Sequence, residues 1–229
     1  MNNANNPARG ETFLDHTGHF VANATAAADA LTAMGFTVTP YSAQVQPDTV
    51  NGQLQLTGTG NICVMLSEGY LEFLVHTADT PIGLEFKRAL QRRSGLHLCA
   101  FSVADAADRH SELKAGGQAM RPLVHFSREV ETTTGSATAR FTVARLPEGS
   151  MPEGRVQVMT HHDHAAMWQP RWTTHDNSAH SLRSIVVSAP EIEIDSTVKR
   201  FEAFLGTTAS ANAGRNLFPS RRSCRDSPV

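Results

Sequence analysis

A strand, a short link, an amphipathic helix and a glycine follow one another three times along the 229 residues of this chain. Residues 14–21 (LDHTGHFV) lead into 24–34 (ATAAADALTAM) and Gly35. Residues 96–103 (LHLCAFSV) lead into 104–115 (ADAADRHSELKA) and Gly116–Gly117. Residues 182–187 (LRSIVV) precede 195–205 (DSTVKRFEAFL) and Gly206. A glycine just past an apolar-periodic stretch is a helix stop. The strands start at residues 14, 96 and 182, a spacing of about 80–90 residues. That is too long for a solenoid repeat and suits a duplicated module of several strands.

Runs rich in β-branched and aromatic residues fill the intervals. In the first they are 36–41 (FTVTPY), 61–66 (NICVML) and 70–75 (YLEFLV); in the second, 122–126 (PLVHF), 139–146 (ARFTVARL) and 155–161 (RVQVMTH). Each full unit therefore reads β-α-β-β-β, and the third keeps only its first strand and helix. The fold class predicted is α+β, with two paired βαβββ modules forming a curved sheet cup, plus a truncated third β-α unit. Helix 84–93 (LEFKRALQRR) has few apolar positions and is expected on the surface. A sheet with a helix on one face must bury or line something with the other, and two such sheets side by side enclose a small-molecule site. The organisation predicted is a disordered N-terminus at 1–11, a first module at 12–80, a linker helix at 81–94, a second module at 95–165, a flap loop with a partial third unit at 166–206, and a disordered tail at 207–229.

Charge and cysteine content narrow the partners. Twenty Lys and Arg against 22 Asp and Glu give a net charge of −2. No broad basic surface for nucleic acid is expected. No apolar run approaches a membrane span, no signal peptide is visible, and Cys63, Cys99 and Cys224 lack metal or redox spacing. These features fit a cytoplasmic protein, with Cys63 and Cys99 inert in apolar strands. Gly58-Thr59-Gly60 reads as a turn rather than a phosphate loop, so no nucleotide cofactor is expected. The tail arginines Arg215, Arg221, Arg222 and Arg225 read as solvated.

Several residues stand out chemically. Glu72 lies between Leu71 and Phe73, where a lone carboxylate is costly unless paired, protonated or metal-bound. It is a candidate ligand or general base. His161, His162 and His164 cluster as HHDH. On a continuing strand His162 and His164 share a face, which suits chelation or proton transfer; the alternative is solvated histidines at a strand end. Residues 168–172 (WQPRW) hold both tryptophans around Arg171. They read either as a flap that binds an anionic group or as a loop pinned by apolar anchors. Arg140 and Arg145 fall on opposite faces of one strand, and a surface place is expected for either. His19 is expected in a core, hydrogen-bonded.

LDHTGHFV, LTAMGFTVTP, GTGNICVMLSEGYLEFL and GLHLCAFSV together resemble the vicinal oxygen chelate superfamily, the glyoxalase/bleomycin resistance/dioxygenase fold, over residues 12–206. THHDHAAMWQPRWTTHDNSAHSL looks like glyoxalase-like domain proteins with a truncated third repeat. The resemblance implies a divalent metal (Zn, Mn, Fe or Ni) at the floor of the cup. It puts His16 and Glu72 on ligand positions, Leu98 rather than His97 opposite His16, and Gln157 opposite Glu72. His161 could complete the set. Catalytic roles then fall to Glu72 and His162, and substrate contacts to His97, His164, Trp168 and Arg171. The expected activity is that of a metal-dependent lyase, isomerase or dioxygenase acting on a small oxygen-rich metabolite; the alternative is a metal-free protein that sequesters a small molecule. A homodimer is left open.

Overall fold

The structure, a computed structural model, describes residues 6–47, 52–212 and 215–218. The first module comprises β1 (Thr12–Phe20), α1 (Ala24–Ala33), β2 (Ser42–Pro47), β3 (Leu54–Met65) and β4 (Tyr70–His76). Helix α2 (Pro81–Arg92) joins it to β5 (Gly95–Val103), α3 (Ala106–Ala115), β6 (Val124–Thr132), β7 (Gly135–Arg145) and β8 (Arg155–His161). Two short helices, α4 (His164–Met167) and α5 (Pro170–Thr173), and a longer one, α6 (Ile194–Leu205), complete the main body.

The repeat is visible in how the chain leaves its first strands. Val21-Ala22-Asn23 and Val103-Ala104-Asp105 are equivalent links. Asn23 accepts a hydrogen bond from the Ala26 amide, and Asp105 accepts from Ala107 and Asp108. Both are N-caps that start the helix directly after the link. Strands β1 to β8 join in one sheet of order β2-β3-β4-β1-β5-β8-β7-β6. Within each module the first and last strands run parallel, β1 with β4 and β5 with β8. The modules meet where β1 and β5 pair antiparallel. The sheet curves until its edge strands β2 and β6 approach each other, so it is nearly closed. This is the α+β architecture the sequence predicts, two βαβββ modules in one curved sheet.

Helices cover the convex face. Leu31 of α1 packs with Ile62, Val64 and Leu66. Leu113 of α3 and Phe201, Phe204 and Leu205 of α6 pack on Phe101, Val156 and Val158. Gly206 ends α6 with φ 66°, the left-handed backbone that favours glycine. Of the tail, Ser210–Asn212 pairs with Arg215–Leu217, and Phe218 packs against Phe201. Residues 1–5, the tail arginines Arg221, Arg222 and Arg225, and Cys224 lie outside the described residues. No helix among the described residues is long and apolar enough to cross a membrane.

Four local expectations change. Residues 36–41 are not a strand; pairing begins at Ser42. Residues 182–187 form no strand beyond the Glu68–Ser181 bridge. Leu182 and Ile185 pack on the core while Val186 and Val187 are exposed, so β-branched residues here found no ladder to join. Gly58-Thr59-Gly60 lies inside β3, where the β2–β3 pairing slips by a bulge between Ala43 and Val45. Helix α2 falls within the 81–94 linker, with Pro81 in its first turn, where a missing N–H costs little. It also buries Phe86 and Ala89 at the end of the cup rather than riding on the surface.

Gly83 in α2 gives a test of that docking. A Cβ there would run into the backbone carbonyl oxygen of Ala78. Gly→Ala in an exposed helix gains roughly 0.5–1 kcal/mol. Here the sign is expected to reverse: G83A should lose about 2–3 kcal/mol by urea unfolding, the usual scale of overpacking. A variant as stable as the parent would mean that α2 is not seated against the Ala78 backbone.

Candidate functional site

The site is built on a break in strand pairing. Leu14 lies opposite Phe101 and His16 opposite Ala100, so Asp15 is an extra residue on β1. Such a bulge lets neighbouring side chains meet instead of alternating. Asp15 Oδ1 lies 2.7 Å from His16 Nδ1. The same carboxylate takes His161 Nε2 from β8 at 3.1 and 3.2 Å. All three side chains are buried. Burial opposes a charge on Asp15, but the nearby His161 and the hydrogen bonds from His16 and His161 outweigh it. Its pKa is held well below the usual carboxylate range.

His16 turns its other nitrogen into the hollow. Its ring stacks on Tyr70 at 4.3 Å, and Nε2 lies 3.6 Å from Glu72 Oε2. Glu72 Oε1 accepts from Asn61 Nδ2 at 2.5 Å and from Gln44 Nε2 at 3.4 Å. Glu72, His16, Asp15 and His161 thus form one line of alternating carboxylates and imidazoles that crosses from the first module into the second. Because Asp15 accepts from both histidines, His16 carries its proton on Nδ1 and offers Nε2 to the hollow. The hollow has an empty volume of about 1070 Å³ counting its open mouth. Leu74, Leu98, Phe126, Phe141 and Met159 make its apolar walls, and Gln157, Arg128, Arg145 and Arg155 reach it from the second module.

The candidates read from the sequence separate clearly. His16, Glu72 and Gln157 share the hollow. His161 is packed behind it, edge-on to Phe141 and Trp168. His162, the residue after, points the other way; it is exposed, and its Nε2 meets Thr142 Oγ1 at 2.8 Å. The shared face read for His162 and His164 does not form, because β8 ends at His161 and His164 opens α4. His164 is buried with its ring stacked on Trp168 at 4.8 Å. Burial, then the nearby His161, pushes its pKa down to about 4. Trp168 donates Nε1–H to the Leu66 carbonyl and anchors its loop instead of capping the hollow. Arg171 is engaged by Gln169 and the Glu131 carbonyl and lies over Trp172, in a separate cleft. His97 stacks on Phe20 with Nε2 on the Arg93 carbonyl, away from the hollow. His19 stacks on Phe73, and its buried Nδ1 has no hydrogen-bond partner. Cys63 and Cys99 are buried, and burial pushes both thiols up to about 12, well away from a reactive thiolate.

Three members of the site escape sequence reasoning. Asp15 carries the signal that singled out Glu72, a carboxylate inside an apolar strand, yet strict alternation puts it on the far face from His16. Gln44 and Asn61 carry no such mark. Arg145, expected at the surface, lines the hollow, while Arg140 forms an exposed bidentate pair with Asp163.

The donor set does not fit a divalent metal. Zinc-type sites draw three or four protein donors. Here His16 Nε2 and Glu72 are the two strong ones, the second-module counterpart of His16 is Leu98, and Gln157 offers a neutral amide. Arg145 lies directly across the strand pair from Gln157, a cation beside the fourth corner. Among the described residues no group of three His, Cys, Asp or Glu side chains could hold a metal ion.

Similar solved structures include a hypothetical protein from Staphylococcus aureus, with 11% identity over 66% of this chain and 59% of that one, at TM-score 0.49. This chain therefore spans less than two thirds of that protein. Hypothetical protein BH1468 from Bacillus halodurans C-125 has 18% identity over 65% of this chain and 94% of that one, at TM-score 0.44. A single-residue variant of Streptomyces coelicolor methylmalonyl-CoA epimerase, in complex with 2-nitronate-propionyl-CoA, has 18% identity over 66% of this chain and 95% of that one, at TM-score 0.42. No curated protein matches the chain. The family model described as a glyoxalase-like domain matches residues 14–205, most of the sequence and both modules. The chain belongs to the glyoxalase-like domain family.

Proposed function

We propose that this protein takes a small organic molecule into the hollow and moves a proton on it with the His16–Glu72 pair, in an isomerase- or lyase-type reaction that uses no metal. The observation that carries the reading is the 3.6 Å approach of His16 Nε2 to Glu72 Oε2 in a hollow whose walls include Leu74, Leu98, Phe126 and Met159. Asp15 commits the other His16 nitrogen, so Nε2 alone exchanges protons with a bound molecule. With one exchangeable proton held between them, one group of the pair can take a proton from a C–H next to a carbonyl while the other gives its proton to a second atom of the molecule, with no net oxidation. The metal-dependent reactions anticipated from the resemblance, dioxygenation among them, find too few donors here.

A second reading, capture without chemistry, is favoured by the apolar walls of Leu74, Leu98 and Phe126. Deuterium exchange separates the two. In D2O with EDTA, the protein is expected to wash deuterium into the α-position of at least one member of a panel of neutral and acidic carbonyl compounds, followed by NMR. H16Q should slow that exchange by about 100-fold or more, the ordinary scale of general acid–base catalysis. Exchange that disappears with EDTA and returns with Mn or Zn would overturn the metal-free reading. Binding with no exchange would favour capture.

A further inference from the structure

The second module brings three arginines to the hollow, and they are not equivalent. Arg155 has a carboxylate partner: its Nη2 lies 2.8 Å from Glu85 Oε2, and Glu85 also holds Arg121. Arg128 donates Nη2–H to Met167 Sδ and stands over the Phe141 ring, with Nε buried and unpartnered. Arg145 is half-buried, and its Nε too is buried with no hydrogen-bond partner. Among the described residues neither Arg128 nor Arg145 forms an ion pair with a carboxylate, whereas Arg88, Arg109, Arg121, Arg140, Arg155 and Arg200 each do. Burial, with Arg121 and Arg155 nearby, pulls the Arg145 pKa down to about 10, still charged at neutral pH. A guanidinium in a poorly solvated wall is costly without a counter-charge, and its planar fork matches an oxyanion. Across the sheet floor the row runs Arg145, Gln157, Ala100, His16. Three strand spacings put the backbones of its ends about 14 Å apart. One molecule lying along that row meets the cation at one end and the His16–Glu72 pair at the other.

We infer that the ligand of this hollow is an organic acid: an apolar body ending in an oxyanion that Arg145 receives, with Arg128 beside it. The inference rests on the hollow being the binding site, as proposed above, and names the class of molecule it takes. Carboxylates and phosphate esters share this chemistry, so both are tested.

Binding of 4-phenylbutyrate, phenyl phosphate and the neutral 4-phenylbutanamide is measured by calorimetry or ligand-observed NMR on the full chain. At least one of the two anions should bind about 10-fold or more tightly than the amide. R145Q should erase that preference without changing the amide, R145K should keep part of it, and the surface control R140Q should keep all of it. Without ligand, R145Q should unfold at the same temperature as the parent or higher, because the charge it removes has no partner. A marked fall would mean that Arg145 holds the fold together instead. Equal binding of amide and anions, unchanged anion binding in R145Q, or no binding of either anion would each overturn the inference. H16Q should still bind the anion. Anion preference without deuterium exchange would sink the proposed reaction and leave this assignment standing; exchange confined to neutral compounds would do the reverse.

Discussion

Replacing Asp15 with Ala is expected to lower the unfolding free energy by about 3–5 kcal/mol, the cost of breaking a buried charged pair from one side. Two imidazoles, His16 and His161, lose their shared acceptor at once, in a place where neither can reach water. For a chain of this length that corresponds to a fall in melting temperature of roughly 10 °C. The pH dependence follows from the direction of the Asp15 shift. Its folded pKa is lowered, so near and below the ordinary carboxylate value of about 3.9 the unfolded chain binds the extra proton. The stabilisation is therefore complete above that pH and drains away as pH falls toward the folded value. In D15N this acid-side loss should flatten. Urea midpoints of parent and D15N between about pH 5 and 2 check it. Parallel curves would mean that the carboxylate is not the group holding the two modules at this point.

Glu72→Gln should do the opposite, sparing the fold and removing the reaction. The Gln carbonyl can go on accepting from Asn61 and Gln44, and its amide N–H can donate to His16 Nε2. Every hydrogen bond keeps its shape while the site loses its carboxylate. Thermal unfolding is expected within a few degrees of the parent, and deuterium exchange about 100-fold or more slower. Unchanged exchange would remove Glu72 from the chemistry.

The architecture was legible because repetition and periodicity are properties of the sequence itself. β8 begins and ends where its alternating pattern does, and Glu72 shows as a charge in a greasy strand. What stayed hidden depends on pairing. The bulge at Asp15 is a mismatch between β1 and β5, and neither strand alone records it. Arg145 looks like any strand-edge arginine until Glu85 takes Arg121 and Arg155 and leaves it without a carboxylate. The HHDH cluster misled because alternation was carried past His161, where the strand stops and a short helix takes over at His164. Residues 182–187 have the composition of a strand but no neighbour to pair with.

The seam between β1 and β5 joins two halves with separate duties. His16, Glu72 and Asn61 come from one, and the unneutralised guanidinium groups from the other. A single polypeptide thus lets descendants of one ancestral unit specialise apart. Under the proposed function, changes in the second half retune which molecules are accepted while the half that carries His16 and Glu72 is left alone. His161 reaches across the seam to Asp15, so drift is least free there.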